Sequence, residues 1–355
     1  MSALETDKHP DRHPASHPAS HLASHPSGQH DLPYPPAARR VLLTTLIAQC
    51  GIVVTGALVR LTGSGLGCPT WPECTTGSLV PVAHQAQGWH KYIEFGNRLL
   101  TFVLTFACIA SLVVALRTRP RRRSVVVFSA LGLAGVAVQA ILGGITVLAG
   151  LHPLTVAAHF LVSGVLIYFA YAAYARAQRP AEPLHKPAAP ARGELAAARV
   201  LSRLLIGAAL AILTLGTIVT GSGPHSGDAK TTVRFELEPR VISWLHADVA
   251  IFFLGVLLAT VLLLRVGRGP ERAQRRAGVL LALALGQGLI GYVQYFTGLP
   301  ELLVGLHVLG AILVWVGALQ LHEALILGDA AAEPVSRATS EPAPASLPQP
   351  APATL

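Results

Sequence analysis

Charge is what this chain has least of. Aspartate, glutamate, lysine and arginine supply 13% of its 355 residues, whereas a soluble domain carries nearer a quarter, which excludes an ordinary water-soluble fold. Hydrophobic residues reach 52% and the mean hydropathy is +0.53, so the chain reads as an integral membrane protein. No cleavable signal is expected, because the first apolar run starts near residue 41. The two ends lack the opposite ingredient. Residues 1–35, with "HPDRHPASHPASHLASHPSG", and the Ala/Pro-rich residues 329–355 have too little apolar content to form a core and are expected to be disordered tails. His9, His13, His17, His21 and His25 fall four apart in the first tail. Such a tract binds metal weakly, and proline after most of these histidines opposes a helical comb, so it is read as a solvated tail.

A helix needs about 20 apolar residues to cross ~30 Å of hydrocarbon. Runs of that length fall at roughly 41–60, 92–116, 124–149, 154–175, 201–221, 241–264, 277–297 and 302–327, predicting an all-α protein of eight transmembrane helices. Arginine gathers on one side of this threading: Arg39, Arg40, the "RTRPRRR" of 117–123, Arg176, Arg179, Arg199, Arg203, and the cluster from Arg265 to Arg276. By the positive-inside rule both termini are cytoplasmic and the chain lies in the cell membrane among its lipids. The formal charge of +9 is then a matter of topology, and no nucleic-acid partner is read into it.

Within the apolar region the chain repeats itself. "QAILGGITVLAGLHPLTVAAHF" at 139–160 aligns without a gap to "QGLIGYVQYFTGLPELLVGLHV" at 287–308, pairing Gln139 with Gln287, Gly143 with Gly291, Gly150 with Gly298 and His159 with His307 at one offset of 148. "IEFGN" at 93–97 falls against "ISWLH" at 242–246, so Asn97 corresponds to His246, and "GIVVTG" at 51–56 resembles "GTIVTG" at 216–221. The predicted organisation is two four-helix bundles, 36–175 and 201–328, joined by a cytoplasmic linker at 176–200. An even number of helices keeps both in one orientation, related by a pseudo-two-fold along the membrane normal.

Asn97, His159, His246 and His307 then lie about five residues inside helices two, four, six and eight, some 8 Å below the outer boundary at ~1.5 Å per residue. Polar groups at that depth are costly and face the bundle interior with a partner or a function. Imidazole is a common axial ligand of haem iron, and a four-helix bundle can hold haem between facing helices; His246 and His307 form such a pair. Recurrence at one depth favours a binding layer over histidines that merely bond across helices. Small residues at 135–144 and 283–291 fit either close approach to a flat macrocycle or a tight helix crossing.

The first outer loop, "TGSGLGCPTWPECTTG" at 62–77, sets Cys68 and Cys74 six apart on the oxidising face. A disulfide is permitted there, and a redox pair that exchanges with a partner thiol is the alternative. The corresponding loop of the second half has no cysteine. Cys50 and Cys108, inside helices one and two, are expected to be core residues.

Taken in order, "GALVRLTGSGLGCPTWPEC", "EFGNR", "GGITVLAGLHPLTVAAHF", "WLHAD" and "GLHVLGA" resemble the heme A synthase family, whose eight-helix members oxidise a methyl group of haem O to the formyl group of haem A. The resemblance covers about 40–328. It implies that His246 and His307 ligate a resident haem b, that the substrate haem O sits near His159 and Glu94 in the N-terminal half, and that Cys68 and Cys74 are disulfide-bonded. Arg60 and Arg98 would meet haem propionates; a salt bridge with Glu94 or interfacial snorkelling is the alternative. Glu94 would accept a proton or orient the substrate during stepwise hydroxylation of the methyl group. The resemblance leaves room for a handover complex with the haem O synthase and for a homo-oligomer, and it names no electron donor.

One departure stands out. The family pattern has a second histidine where this chain has Asn97, and an amide is a poor ligand for haem iron. His90 or His84 could substitute; a five-coordinate or water-bound iron is the simpler expectation and suits oxidation chemistry. Two rivals remain: a membrane b-type cytochrome, which would need paired histidines in both halves, and a transporter, whose broken helices and charged midplane residues the sequence lacks.

Overall fold

The computed structural model describes residues 33–179, 193–225, 227–228 and 233–327. The His tract, the C-terminal tail and the middle of the predicted linker lie outside the described residues. Those described form eight helices: α1 (Pro36–Leu61), α2 (His90–Arg117), α3 (Arg123–Leu148), α4 (Pro153–Ala177), α5 (Glu194–Ser222), α6 (Pro239–Val266), α7 (Glu271–Phe296) and α8 (Glu301–Leu327). All eight are long and apolar enough to cross a membrane; this is a multi-pass membrane protein. A helix closes its own backbone hydrogen bonds, the condition hydrocarbon imposes.

Proline opens α1, α4 and α6, where its missing N–H costs nothing. Two helices begin well before their apolar runs. α5 starts at Glu194 and α7 at Glu271, because "ELAAAR" and "ERAQRRA" are rich in strong helix formers that need no lipid. The predicted first tail also ends sooner than expected. Tyr34 is 2% exposed, its N–H donates to the Ala177 carbonyl at 2.9 Å, and the Arg122 guanidinium lies 4.8 Å over its ring.

One turn occurs twice. α3 ends in Gly150 (φ 61°) and Leu151 (φ 60°), and α7 ends in Gly298 (φ 79°) and Leu299 (φ 61°). Leucine in this left-handed region is uncommon, and its recurrence at the repeat offset shows that the tight α3–α4 and α7–α8 connections demand it. Each helix in α1–α4 touches its ring neighbours, as does each in α5–α8; α4 touches α5 and α8, and α1 touches α8. Exchanging the first four helices for the last four maps this set of contacts onto itself.

The largest core cluster lies toward the side where α4 ends and α5 begins, where Ala170, Ala175, Ala198, Ala208, Ala277, Ala318 and Ala324 pack among Leu205, Leu257, Leu264, Leu321 and Leu325. Small residues let the helices approach closely there. The Trp315 indole donates to the Gly164 carbonyl at 3.0 Å, tying α8 to α4. Toward the opposite side, which carries the long 62–89 loop, stand the four equivalent polar positions.

Candidate functional site

Each of the three layer histidines is seated on a glycine. A Cβ on Gly143 would lie 3.2 Å from His159 Cε1, one on Gly291 would lie 3.2 Å from His307 Cε1, and one on Gly216 would lie 3.3 Å from His246 Cε1. Within 135–144 the small residues serve more than one contact: Gly135 lies against Leu166 in a tight α3–α4 crossing, while Gly143, like Gly291 in the second half, makes room for an imidazole from the neighbouring helix. The recurring glutamines hold the same histidines by the backbone. Gln139 Nε2 donates to the His159 carbonyl at 3.0 Å and Gln287 Nε2 to the His307 carbonyl at 2.7 Å.

The rings themselves are not used up by protein. Nδ1 of His159, His246 and His307 is buried without a hydrogen-bond partner; the Ile212 carbonyl lies near His246 but outside hydrogen-bond geometry. An unmade buried hydrogen bond costs about 1–3 kcal/mol, so three such rings at equivalent places call for a ligand or a function. Cross-helix bonding does not explain His159 and His307. The rings of His246 and His307 stand 6.3 Å apart, centroid to centroid, with planes 61° apart. Two metal–nitrogen bonds of about 2 Å each, with roughly 1 Å from each nitrogen to its ring centre, span about 6 Å. The observed separation is close to that span. Among the described residues no three His, Cys, Asp or Glu side chains converge on a point.

The first half differs at one corner. Asn97 Oδ1 accepts a hydrogen bond from Thr55 Oγ1 on α1 at 2.8 Å, whereas the hydroxyl of Thr220, the equivalent of Thr55, donates to the Gly216 carbonyl of its own helix. A Cβ on Gly51, the equivalent of Gly216, would meet nothing within 4 Å. His90 is engaged elsewhere: its Nδ1 is 2.9 Å from Ser64 Oγ and its ring stacks on Trp89. His84 is exposed in the loop.

The polar start of α2 is a docking face for that loop. Lys91, Glu94 and Arg98 share one side of the helix, at spacings of three and four. Lys91 Nζ donates to the Val82 and Ala83 carbonyls at 2.6 and 3.0 Å. Glu94, 6% exposed, accepts from the Cys68 N–H at 2.6 Å and from Arg98 Nη2 at 2.6 Å. Arg98 also donates to the carbonyls of Cys68, Thr70 and Glu73. Cys68 and Cys74 are joined in a disulfide and fully buried, while Cys50 and Cys108 are free. Arg98 makes the expected ion pair with Glu94 at 2.6 Å. Arg60 does something else again: it donates to the Thr220 and His225 carbonyls at 3.0 and 2.6 Å. The 62–89 and 223–238 loops meet there, Gly65 N–H donating to the Gly227 carbonyl at 2.8 Å.

Residues 39–319 match COX15-CtaA, the family described as cytochrome oxidase assembly protein. The chain belongs to this family. Its relatives include proteins named heme A synthase from Geobacillus thermodenitrificans, 33% identical over 135 residues (37% of this chain, 41% of that protein), and Geobacillus kaustophilus, 35% identical over 122 residues (33% and 37%). A third, from Lysinibacillus sphaericus, is 37% identical over 120 residues (34% and 37%). The chain thus matches about two fifths of the length of these curated relatives.

Several residues of this COX15-CtaA member escaped the sequence reading. Gly216 and Thr55 stood inside the quoted repeats "GTIVTG" and "GIVVTG", but nothing in one dimension shows which histidine a glycine will face. Trp71 carries no such signal either; its ring lies on Gly144, where any Cβ would collide with it, so the disulfide loop reaches the residue next to the seat of His159. Glu323, 7% exposed, receives the Tyr171 hydroxyl and pairs with Arg179 Nη2 at 2.8 Å, joining α8 to α4 on the side away from the histidines.

Proposed function

We propose that this protein is a heme A synthase, an oxidoreductase of the cell membrane that converts the methyl group of haem O into the formyl group of haem A for terminal oxidase assembly. What carries the reading is the matched construction of the layer: His159, His246 and His307, each seated on a glycine with a ring nitrogen left unpartnered, in a chain of the cytochrome oxidase assembly family. His246 and His307 would hold a resident haem b, which supplies one-electron transfer.

The division of labour follows the two halves, 36–175 for the substrate and 201–328 for the resident group. Haem O is taken by the first half with His159 toward its iron, since Asn97 offers no ligand. Glu94 sits under the disulfide loop beside this site, where its carboxylate, fixed by Arg98 and the Cys68 N–H, can accept a proton or orient the substrate edge. Arg98 keeps that carboxylate in place. Arg60 holds the two outer loops together over the layer and presents its remaining guanidinium edge to propionates. Both termini are cytoplasmic in this reading.

Purified protein mixed with haem O under reducing, aerated conditions tests it. Haem A in the extracted pigment is the expected result. Unchanged haem O beside fully bound haem b would make the protein an electron carrier instead. In parallel, His246→Ala and His307→Ala should each abolish the low-spin haem b spectrum, and a retained spectrum removes the ligand assignment.

A further inference from the structure

The corner built by Asn97, Thr55 and Gly51 has a counterpart in His246, Thr220 and Gly216, and the two differ in one respect that matters. In the second half the imidazole fills the seat over Gly216 and leaves Thr220 to its own helix. In the first half the seat over Gly51 is open, and the Thr55 hydroxyl, besides lying 3.1 Å from the Ile52 carbonyl of its own helix, donates to the oxygen of the Asn97 amide at 2.8 Å. With Oδ1 engaged, the amide orients its other end, and Nδ2 donates to no described residue. Asn97 is not buried away from the layer either, being half-exposed at the depth of the histidines. An asparagine merely tolerated in place of a histidine would need no such restraint.

We infer that Asn97 is a positioning residue: with its Oδ1 held by Thr55, it would offer its Nδ2–H as a hydrogen-bond donor to a small molecule at the iron that His159 would hold. This deepens the substrate assignment proposed above and rests on it. The chemistry is ordinary. A neutral amide is a hydrogen-bond donor that cannot displace the bound molecule as an imidazole would, and a donor fixed beforehand stabilises charge that develops on the molecule without reorganising. The open space over Gly51 adds a second consequence, that histidine at this position would fit and close the site.

Carbon monoxide is the probe, added to the reduced full-length protein in detergent with and without haem O. The wild-type protein should gain a carbon monoxide-binding haem on loading with haem O. Asn97→Leu and Thr55→Val should keep carbon monoxide binding but raise its infrared stretching frequency, because a hydrogen bond to the bound oxygen end strengthens metal back-donation and its loss reverses this. Asn97→His should instead lose the carbon monoxide-binding fraction and gain a low-spin spectrum. A stretching frequency unchanged in both Asn97→Leu and Thr55→Val overturns the positioning role while leaving the substrate site intact. Absence of any carbon monoxide-binding haem in the loaded wild-type protein, or its persistence in His159→Ala, overturns the site itself, and the positioning role with it.

Discussion

The imidazole of His307 rests on Gly291, so close that a methyl group on the glycine would stand 3.2 Å from the ring. The contact is tighter than side chains ordinarily accept, and the ring would have to give by a few tenths of an ångström. Gly291→Ala is therefore expected to weaken haem b binding on the order of tenfold, the low end of the cost of disturbing the surroundings of a metal ligand. Haem titration of the purified variant, followed in the Soret band, checks this. Gly143→Ala should leave haem b unchanged and weaken haem O binding at His159 instead.

Removing Glu94 does more than delete a carboxylate. Breaking a buried ion pair from one side costs about 3–5 kcal/mol; the Arg98 side chain is 22% exposed and can reach water, which places Glu94→Ala at or below the lower end. The 62–89 loop should loosen, with faster limited proteolysis within it. Haem O is expected to accumulate while haem b stays bound, and normal haem A output from this variant would take Glu94 out of the reaction.

The disulfide closes a short loop, Cys68 to Cys74, with a sequence separation of 6. Its loss in Cys68→Ser/Cys74→Ser should cost about 2 kcal/mol, somewhat less than a fifteen-residue loop would. Hydrogen exchange should rise through residues 64–78, whereas the helices retain their protection. Release of Trp71 from Gly144 should accompany it, seen as stronger quenching of tryptophan fluorescence by a water-soluble quencher.

Glu323 binds α8 to α4 through Tyr171 and Arg179. Glu323→Ala is expected to lower the stability by about 2–3 kcal/mol, because it leaves the Tyr171 hydroxyl without its acceptor and Arg179 without its counter-charge. Thermal unfolding in detergent measures the loss. In a double-mutant cycle with Arg179→Ala the two costs should fall short of additivity, the sign of a direct interaction.

Much of the site was written in the repeat. Aligning the halves marks four equivalent positions, and the compartment and spacing of Cys68 and Cys74 permit the bond that joins them. Other residues were legible only as polar anomalies. Lys91, Glu94 and Arg98 look like misplaced charge at the head of an apolar helix until the loop is seen folded onto them, because their partners are mostly main-chain carbonyls and an N–H up to 30 residues away, which no side-chain pattern reports. His90 is similar: its ring faces Ser64, a choice made by the path of the loop.

What the sequence determined by itself is the membrane architecture. Each span needs only enough apolar length, since a helix satisfies its own backbone in lipid, and that property can be counted along one chain; the repeat then fixes which polar positions are equivalent. Tertiary structure alone decided what those positions touch. Whether Gly216 seats His246 while Gly51 stands open beside Asn97, and whether Thr55 bonds its own helix alone or also reaches the next, depends on how each helix is rotated against its neighbour. Rotation is set by packing summed over many residues from distant parts of the chain, and no local stretch of sequence carries it.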